Sequence, residues 1–342
     1  MEGNTRVFSP DDLRLALGLI FTPDVVQPVQ IGSFLTALHI EHLESDLNIS
    51  RQLRRSFVDG TKGNGGGCET DFVVDIVGTG GDGHNTFNVS TTAHRRCRAG
   101  ARVIKHGSRA STSSSGSATC CNRLDVCSLH PRGHAHAHTR IPLLHPRASL
   151  SPALAMIAPY RKALPHRTMF NVLGPLINPA FPKGMVLGVA EPALGPPFAH
   201  SLSDGGVQRA LVVCGAEGLD EISCAGETHA WELVDGNVTE KTLHPEQFGL
   251  AVHPLSAVAG GTPEENAETF KLLLMSGDKI PERLTPVLHF VLMNASALLV
   301  VAGVAHDFKD GVQKALKSIT SGAAWRALEE FRETGKAAVR QI

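Results

Sequence analysis

Phe72-Val-Val-Asp-Ile-Val-Gly-Thr-Gly-Gly-Asp-Gly-His-Asn-Thr-Phe-Asn-Val-Ser-Thr91 is the stretch that decides the fold. Phe72 to Val77 has the β-branched and aromatic character of an interior strand. Gly78, Gly80, Gly81 and Gly83 then remove the side chains that would hold an anion away from the backbone amides. Asn88, Ser90 and Thr91 offer amides and N-cap hydroxyls at the start of a helix, where the same anion is favoured. A strand, a glycine turn and a capped helix start, in that order, describe a phosphate site. Taken alone, the turn is equally compatible with a purely structural role, because glycine-rich turns after strands are common.

Upstream, residues 10–60 carry helical periodicity, with Leu13, Leu17 and Ile20 on one face and Ile31, Phe34, Leu35, Leu38 and Leu43 on another. Pro10-Asp-Asp12 and Thr22-Pro-Asp24 read as start signals for two of these helices. The run Gly60-Thr-Lys-Gly-Asn-Gly-Gly-Gly67 is too permissive for a regular element and suits a hinge. The expected organisation is therefore a small helical domain, residues 1–66, with later helices packing on it, and an α/β domain over residues 67–342. Downstream, Phe72 to Val77, Arg102 to Ile104, Met185 to Gly188, Ala210 to Cys214 and Ala230 to Leu233 read as short buried strands with helices between them. This predicts a mixed or parallel sheet. Helices are expected at 264–276, 285–304 and 310–334.

With 32 basic and 33 acidic residues the net charge is -1, which gives no global attraction to nucleic acid or an anionic membrane. Any phosphate affinity must be local. The N-terminus lacks the layout of a secretory signal. The longest apolar candidate, Val287 to Ala305, is interrupted by His289, Asn294 and Ser296 and reads as a buried helix rather than a membrane span. Seven cysteines, an odd number without secretory context, point to free thiols and a cytoplasmic protein.

Three further blocks follow the glycine turn. They are Lys105-His-Gly-Ser-Arg109 with Ser113-Ser-Ser-Gly-Ser117, then His166-Arg-Thr-Met-Phe-Asn-Val-Leu-Gly-Pro-Leu-Ile-Asn-Pro179, then Gly218-Leu-Asp-Glu-Ile-Ser223. In this order and spacing the chain resembles the anthranilate phosphoribosyltransferase family from about Pro10 to about Gly335. The resemblance implies an α/β fold with a small N-terminal helical domain, and transfer of phosphoribose from phosphoribosyl pyrophosphate to anthranilate. It implies that Gly78, Gly81, Asp82, Thr86, Asn88, Val89, Ser90, Thr91, Lys105, Gly107 and Ser117 bind phosphoribosyl pyrophosphate. Gly78, His106, Ser108, Arg167 and Pro179 are implied for anthranilate, with a planar guanidinium at Arg167 suited to its carboxylate. Ser90, Asp220 and Glu221 are implied for Mg2+, whose preference is for hard oxygen ligands. The family expectation adds a homodimer through the helical domain and no obligatory general base. Without the other blocks, Asp220-Glu221 would read as a solvated helix start and Arg167 as a surface arginine.

The chain departs from the family pattern in places. Ser108 stands where the family has Asn, Ser151-Pro152 where it has His-Pro, and Thr119 where it has Asp. Residues 94–98 and 119–150 hold four of the seven cysteines and six histidines, including His134-Ala-His-Ala-His138. Three readings meet there: a metal site, an irregular insertion, or a shift of reading frame. The last has a concrete form. The family sequence Asp-Leu-Leu-Gln, written GAC CTG CTG CAA T, becomes Thr-Cys-Cys-Asn when read one base late, as at residues 119–122. His94-Arg-Arg-Cys-Arg98, written CAT CGT CGC TGC AGG, becomes Ile-Val-Ala-Ala-Gly one base later. Charged residues in place of an apolar helix segment predict weak or absent activity for the chain as written.

Two other functions compete. A pyrimidine-nucleoside phosphorylase would share the fold and the glycine turn, but the Arg167-to-Pro175 block argues against it. A nucleic-acid-binding paralogue would need a basic groove, which the charge balance does not suggest.

Overall fold

The computed structural model describes residues 8–22, 24–41, 43, 72–89, 101–104, 157, 159–160, 163–166, 168–170, 176, 178 and 180–340. Residues 94–98 and 119–150 lie outside them.

The centre is a sheet of β1 (Val73–Gly78), β2 (Arg102–Val103), β3 (Gly184–Gly188), β4 (Arg209–Gly215), β5 (Thr228–Val234) and β6 (Asn237–Leu243), in the spatial order β2-β1-β3-β4-β5-β6. The first four are mutually parallel, β5 pairs antiparallel with β4 and β6 antiparallel with β5, so the sheet is mixed. β1, β3 and β4 are buried over nearly their whole length, as strands covered on both faces must be. Successive side chains point to opposite faces. Ile76, Val186, Leu211 and Val213 accordingly join one core cluster, while Val77, Leu187 and Val212 join the other.

β6 is absent from the sequence-based expectation because its exposed edge, Asn-Val-Thr-Glu-Lys-Thr-Leu, has no apolar run. Its signal is the turn before it. Asp235 (φ 45°) and Gly236 (φ 89°) form a two-residue hairpin in which Val234 pairs with Asn237, the favoured connection for Asp-Gly.

One face of the sheet is covered by α3 (Gly195–Asp204), whose Phe198, Ala199 and Leu202 are buried against the second cluster. The other face packs on α5 (Thr285–Val301), flanked by α4 (Pro263–Met275), α6 (Phe308–Thr320) and α7 (Ala323–Arg340). The helical stretch Glu282–Val301 is long and apolar enough to cross a membrane by composition, but 78% of its apolar window is buried inside the protein. Burial against the sheet, rather than the interrupting His289, Asn294 and Ser296, identifies it as a core helix. The helix expected over 310–334 is two: Ser321-Gly322, with Gly322 at φ 69°, separates α6 from α7.

α1 (Pro10–Ile20) starts where the sequence signals it, with a capping box in which the Ser9 hydroxyl accepts from the Asp12 amide and Asp12 accepts from the Ser9 amide. α2 (Pro28–Ile40) does not begin at Thr22-Pro-Asp24. Asp24 adopts φ 62° in a turn, the Thr22 hydroxyl donates back to the Gly18 carbonyl, and Pro28 provides the real N-terminal start. Leu13, Leu17, Ile20, Ile31, Leu35 and Leu38 are buried as the periodicity requires, together with Ile157, Met169 and Phe170 from far along the chain.

Candidate active site

The site begins with two glycines that have no room for a side chain. A Cβ on Gly78, at the end of β1, would lie 2.1 Å from Asp220 Oδ2, and one on Gly188, at the end of β3, would lie 1.5 Å from the Asp220 carbonyl oxygen. Asp220 therefore lies across the carboxyl ends of two neighbouring parallel strands, where open α/β sheets place their ligands. The Gly80 amide donates to Asp220 Oδ2 at 2.6 Å across 140 residues of sequence. Two blocks far apart in the chain thus become one structure, and one turn amide is engaged by the carboxylate. Gly80, Gly81 and Gly83 have φ of 70°, 74° and 77°, so these glycines are required by backbone conformation.

Beyond the turn, the Asp82 carboxylate accepts from the His84 amide, and His84 Nε2 lies 3.0 Å from the Glu217 carbonyl oxygen. Asn88 immediately precedes the first helical residue, Val89, which is fully buried. The segment is strapped from outside by Val258–Gly260. Phe87 donates to Val258, the Gly260 amide and carbonyl bond to the Asn85 backbone and side chain at 2.7 Å each, and Thr86 bridges Ala259. Asn266 on α4 clasps the next residue by accepting from the Gly261 amide and donating to its carbonyl. The sequence reading did not single out this strap.

The Asp220-Glu221 loop is held as closely. Gly218 (φ 82°) turns the chain after β4, and Gly215 donates to the Leu219 carbonyl. The Ser223 amide donates to Thr228, and the Ser223 hydroxyl donates to the Glu217 carboxylate. Asn294, 1% exposed in the middle of α5, accepts from the Ile222 amide at 3.1 Å and donates to the Ile222 carbonyl at 3.2 Å. The asparagine that interrupts the most apolar helix is thus bonded to the residue following Glu221. Gly78, Val89, Gly188, Asp220, Glu221 and Asn294 line one pocket.

The electrostatics are acidic. Cys214, buried at the end of β4, has its thiol pushed up to about 11, first by burial and then by Asp220, Glu217 and Glu191. Cys224 is pushed up to about 11 by burial, which a backbone hydrogen bond partly offsets, and then by Glu217 and Glu221. Both are free thiols. Among the described residues, no three His, Cys, Asp or Glu side chains converge into a self-sufficient metal cage. Two carboxylates beside a glycine turn are nevertheless suited to Mg2+, which is commonly bound by one or two carboxylates and completed by phosphate oxygens and water. The residues present fit that ion.

The third block meets the same sheet from the β1–β2 side. Asn178 uses both hydrogens of its amide, one to the buried Asp75 carboxylate at 2.8 Å and one to the Ile104 carbonyl at 2.9 Å, and its oxygen accepts from Ala180. His166 stacks on His39 of α2, with ring centroids 4.5 Å apart, and lies 3.0 Å from the Thr36 hydroxyl. Of the sequence-derived site residues, Gly78, Gly81, Asp82, Thr86, Asn88, Val89, Asp220 and Glu221 are therefore described. Ser90, Thr91, Lys105, His106, Gly107, Ser108, Ser117, Arg167 and Pro179 lie outside the described residues.

Comparison with known proteins places these features in context. A family profile described as "Glycosyl transferase family, a/b domain" matches residues 70–325. An anthranilate phosphoribosyltransferase of Schizosaccharomyces pombe is 43% identical over 334 residues, covering 94% of this chain and 91% of the relative. The anthranilate phosphoribosyltransferase from Saccharomyces cerevisiae in complex with PRPP and Mg superposes with a TM-score of 0.84 at 30% identity, covering 96% of this chain and 92% of that one. The same yeast enzyme in complex with 4-fluoroanthranilate gives a TM-score of 0.83 at 28% identity, with the same coverage of each chain.

Proposed function

Because the chain belongs to the anthranilate phosphoribosyltransferase family, we propose that its glycine turn and its Asp220-Glu221 pair together form a Mg2+–pyrophosphate site. The protein is a pentosyltransferase of tryptophan biosynthesis. It transfers the 5-phosphoribosyl group of phosphoribosyl pyrophosphate to the amine of anthranilate, releasing pyrophosphate. The observation that supports the site assignment is the 2.6 Å bond from the Gly80 amide to Asp220, which brings the glycine turn and the Asp220 carboxylate into contact.

In this reading Gly78, Gly81, Asp82, Thr86 and Asn88 to Thr91 cradle the phosphoribosyl pyrophosphate, with Lys105, Gly107 and Ser117. Asp220, Glu221 and Ser90 hold the metal. Bound Mg2+ supplies charge neutralisation of the leaving pyrophosphate. Arg167 grips the anthranilate carboxylate and so aims the ring amine at the anomeric carbon, with His106, Ser108 and Pro179 walling the ring. The aromatic amine is weakly basic and becomes acidic as it attacks, so the chain needs no strong general base. Its contribution is positioning, and a water-excluding closure of the helical domain (residues 1–66) over the α/β domain (67–342) protects the sugar. The contacts of His166 with His39 and Thr36 support that arrangement, because they tie the anthranilate block to α2.

A cytoplasmic location fits a biosynthetic enzyme of this family. Homodimerisation through the helical domain is supported by exposed apolar side chains on α1 and α2, among them Leu15, Val29 and Ile40.

Calorimetric titration with phosphoribosyl pyrophosphate tests the site. Binding should strengthen when Mg2+ is added, and D220N and E221Q should abolish that gain while retaining metal-free binding. Equal Mg2+ dependence in D220N, E221Q and the parent chain would remove the pair from the site.

A further inference from the structure

We infer that Asn294 is a positioning residue for the metal-binding pair, acting through the Ile222 backbone. This inference rests on the assignment of Asp220 and Glu221 to Mg2+.

Three observations carry it. Asn294 sits in α5 among Val291, Leu292, Met293, Ala295, Ala297 and Leu298, all buried, where an amide has no place unless it is bonded. Its bonds are specific: Oδ1 accepts from the Ile222 amide, while Nδ2 donates to the Ile222 carbonyl and to the Phe290 carbonyl of its own helix. A paired donor and acceptor on one residue fix the position and the rotation of that peptide, which a single bond would not do. Ile222 is the residue immediately after Glu221 and is itself buried in the core.

The direction of the effect follows from geometry. Asp220 is pressed from below by Gly78 and Gly188, which set how close the loop comes to the strand ends. Those contacts limit approach rather than rotation. The Asn294 clamp restrains rotation from the core side, alongside the Gly80 bond to Asp220 and the Ser223 bond to Thr228, and through it α5 transmits the rigidity of the core to the carboxylates. Partners beyond the direct ligands that orient them commonly govern metal affinity by about 10–100-fold.

The test is Mn2+ binding to the full chain in the presence of phosphoribosyl pyrophosphate, followed by electron paramagnetic resonance, with D220N, N294L, N294S and L299A. Leu299 is buried on the same helix, so L299A removes core packing without removing the clamp. The inference predicts that D220N weakens Mn2+ binding most and that N294L weakens it by about tenfold. N294S, which keeps one short hydroxyl and the fold, should weaken it less, and L299A should leave it within about twofold despite a lower urea midpoint. If N294S and N294L bind Mn2+ like the parent chain while D220N does not, the role of Asn294 is refuted and the metal assignment survives. A parent chain that binds no more Mn2+ than D220N overturns the metal assignment and the role of Asn294 with it.

Discussion

A methyl group on either Gly78 or Gly188 would collide with the same aspartate, from two different strands. The obstacles differ. At Gly78 the nearest atom is the end of a carboxylate, which can swing away, and at Gly188 it is the Asp220 backbone, which cannot. G188A should therefore be the more damaging, costing about 1–3 kcal/mol of stability as an overpacked site. G78A should keep more stability and lose Mg2+-dependent binding of phosphoribosyl pyrophosphate, because the displaced group is the carboxylate proposed to hold the metal. Urea unfolding and calorimetry on both variants check this pair, and equal effects on both readouts would contradict it. Only Gly78 was identifiable as a site residue from sequence. Gly188 ends an apolar run that looks like any buried strand, and its role exists only because Asp220 crosses it.

At the scale of elements, the glycine turn depends on a strap from the far end of the chain. A Cβ on Gly260 would lie 2.7 Å from the Thr86 carbonyl oxygen, so the strap and the turn approach closely only because that residue is glycine. G260A should push the strap off Asn85 and Thr86 and lower affinity for phosphoribosyl pyrophosphate, while circular dichroism stays native. The β5–β6 hairpin gives a contrasting case away from the site. Among the described residues a Cβ on Gly236, at φ 89°, would meet only the Ser203 hydroxyl oxygen, at 4.0 Å, so G236A should cost only the left-handed backbone penalty of about 1–2 kcal/mol and spare ligand binding. These elements were unequally legible. The strands β1 to β5 announced themselves through apolar runs, and α1, α4 and α5 through periodicity or caps. β6 and the α6–α7 break were signalled only by Asp235-Gly236 and Ser321-Gly322, local turn chemistry that a search for apolar patterns passes over.

Across the whole molecule, the buried thiols link the site to stability. In the folded state Cys214 and Cys224 stand at about 11 against an ordinary 9.0, so the native protein holds these protons more tightly than the unfolded chain. Their contribution to stability is full below about pH 9 and is lost as pH rises towards 11. The urea midpoint should fall across that window, and C214A/C224A should flatten the fall. Both thiols should also resist alkylation near pH 8 until the protein unfolds. A separate expectation concerns residues 94–98 and 119–150. The chain as written should convert anthranilate slowly, and restoring the alternative reading frame across both segments, which begins Ile-Val-Ala-Ala-Gly at 94 and Asp-Leu-Leu-Gln at 119, should raise kcat/KM by at least about tenfold, since each 1.4 kcal/mol recovered is tenfold in rate. Loss of anthranilate fluorescence measures it. Family-like turnover by the unaltered chain would refute it, and sequencing of the mature transcript would test the frame directly.

The amino-acid sequence by itself determined the α/β class, the position of the glycine turn and the pair of carboxylates, because β-branched runs, glycine clusters and acidic pairs act through local conformation and local chemistry. Only the tertiary structure decided that Asp220 lies on Gly78, Gly80 and Gly188, that Val258–Gly260 straps the turn, and that Asn294 grips Ile222. Those contacts join residues whose neighbours in sequence carry no trace of the pairing. They exist because a parallel sheet collects the carboxyl ends of its strands at one edge and an amide buried in an apolar helix is stable only when its donor and acceptor find partners.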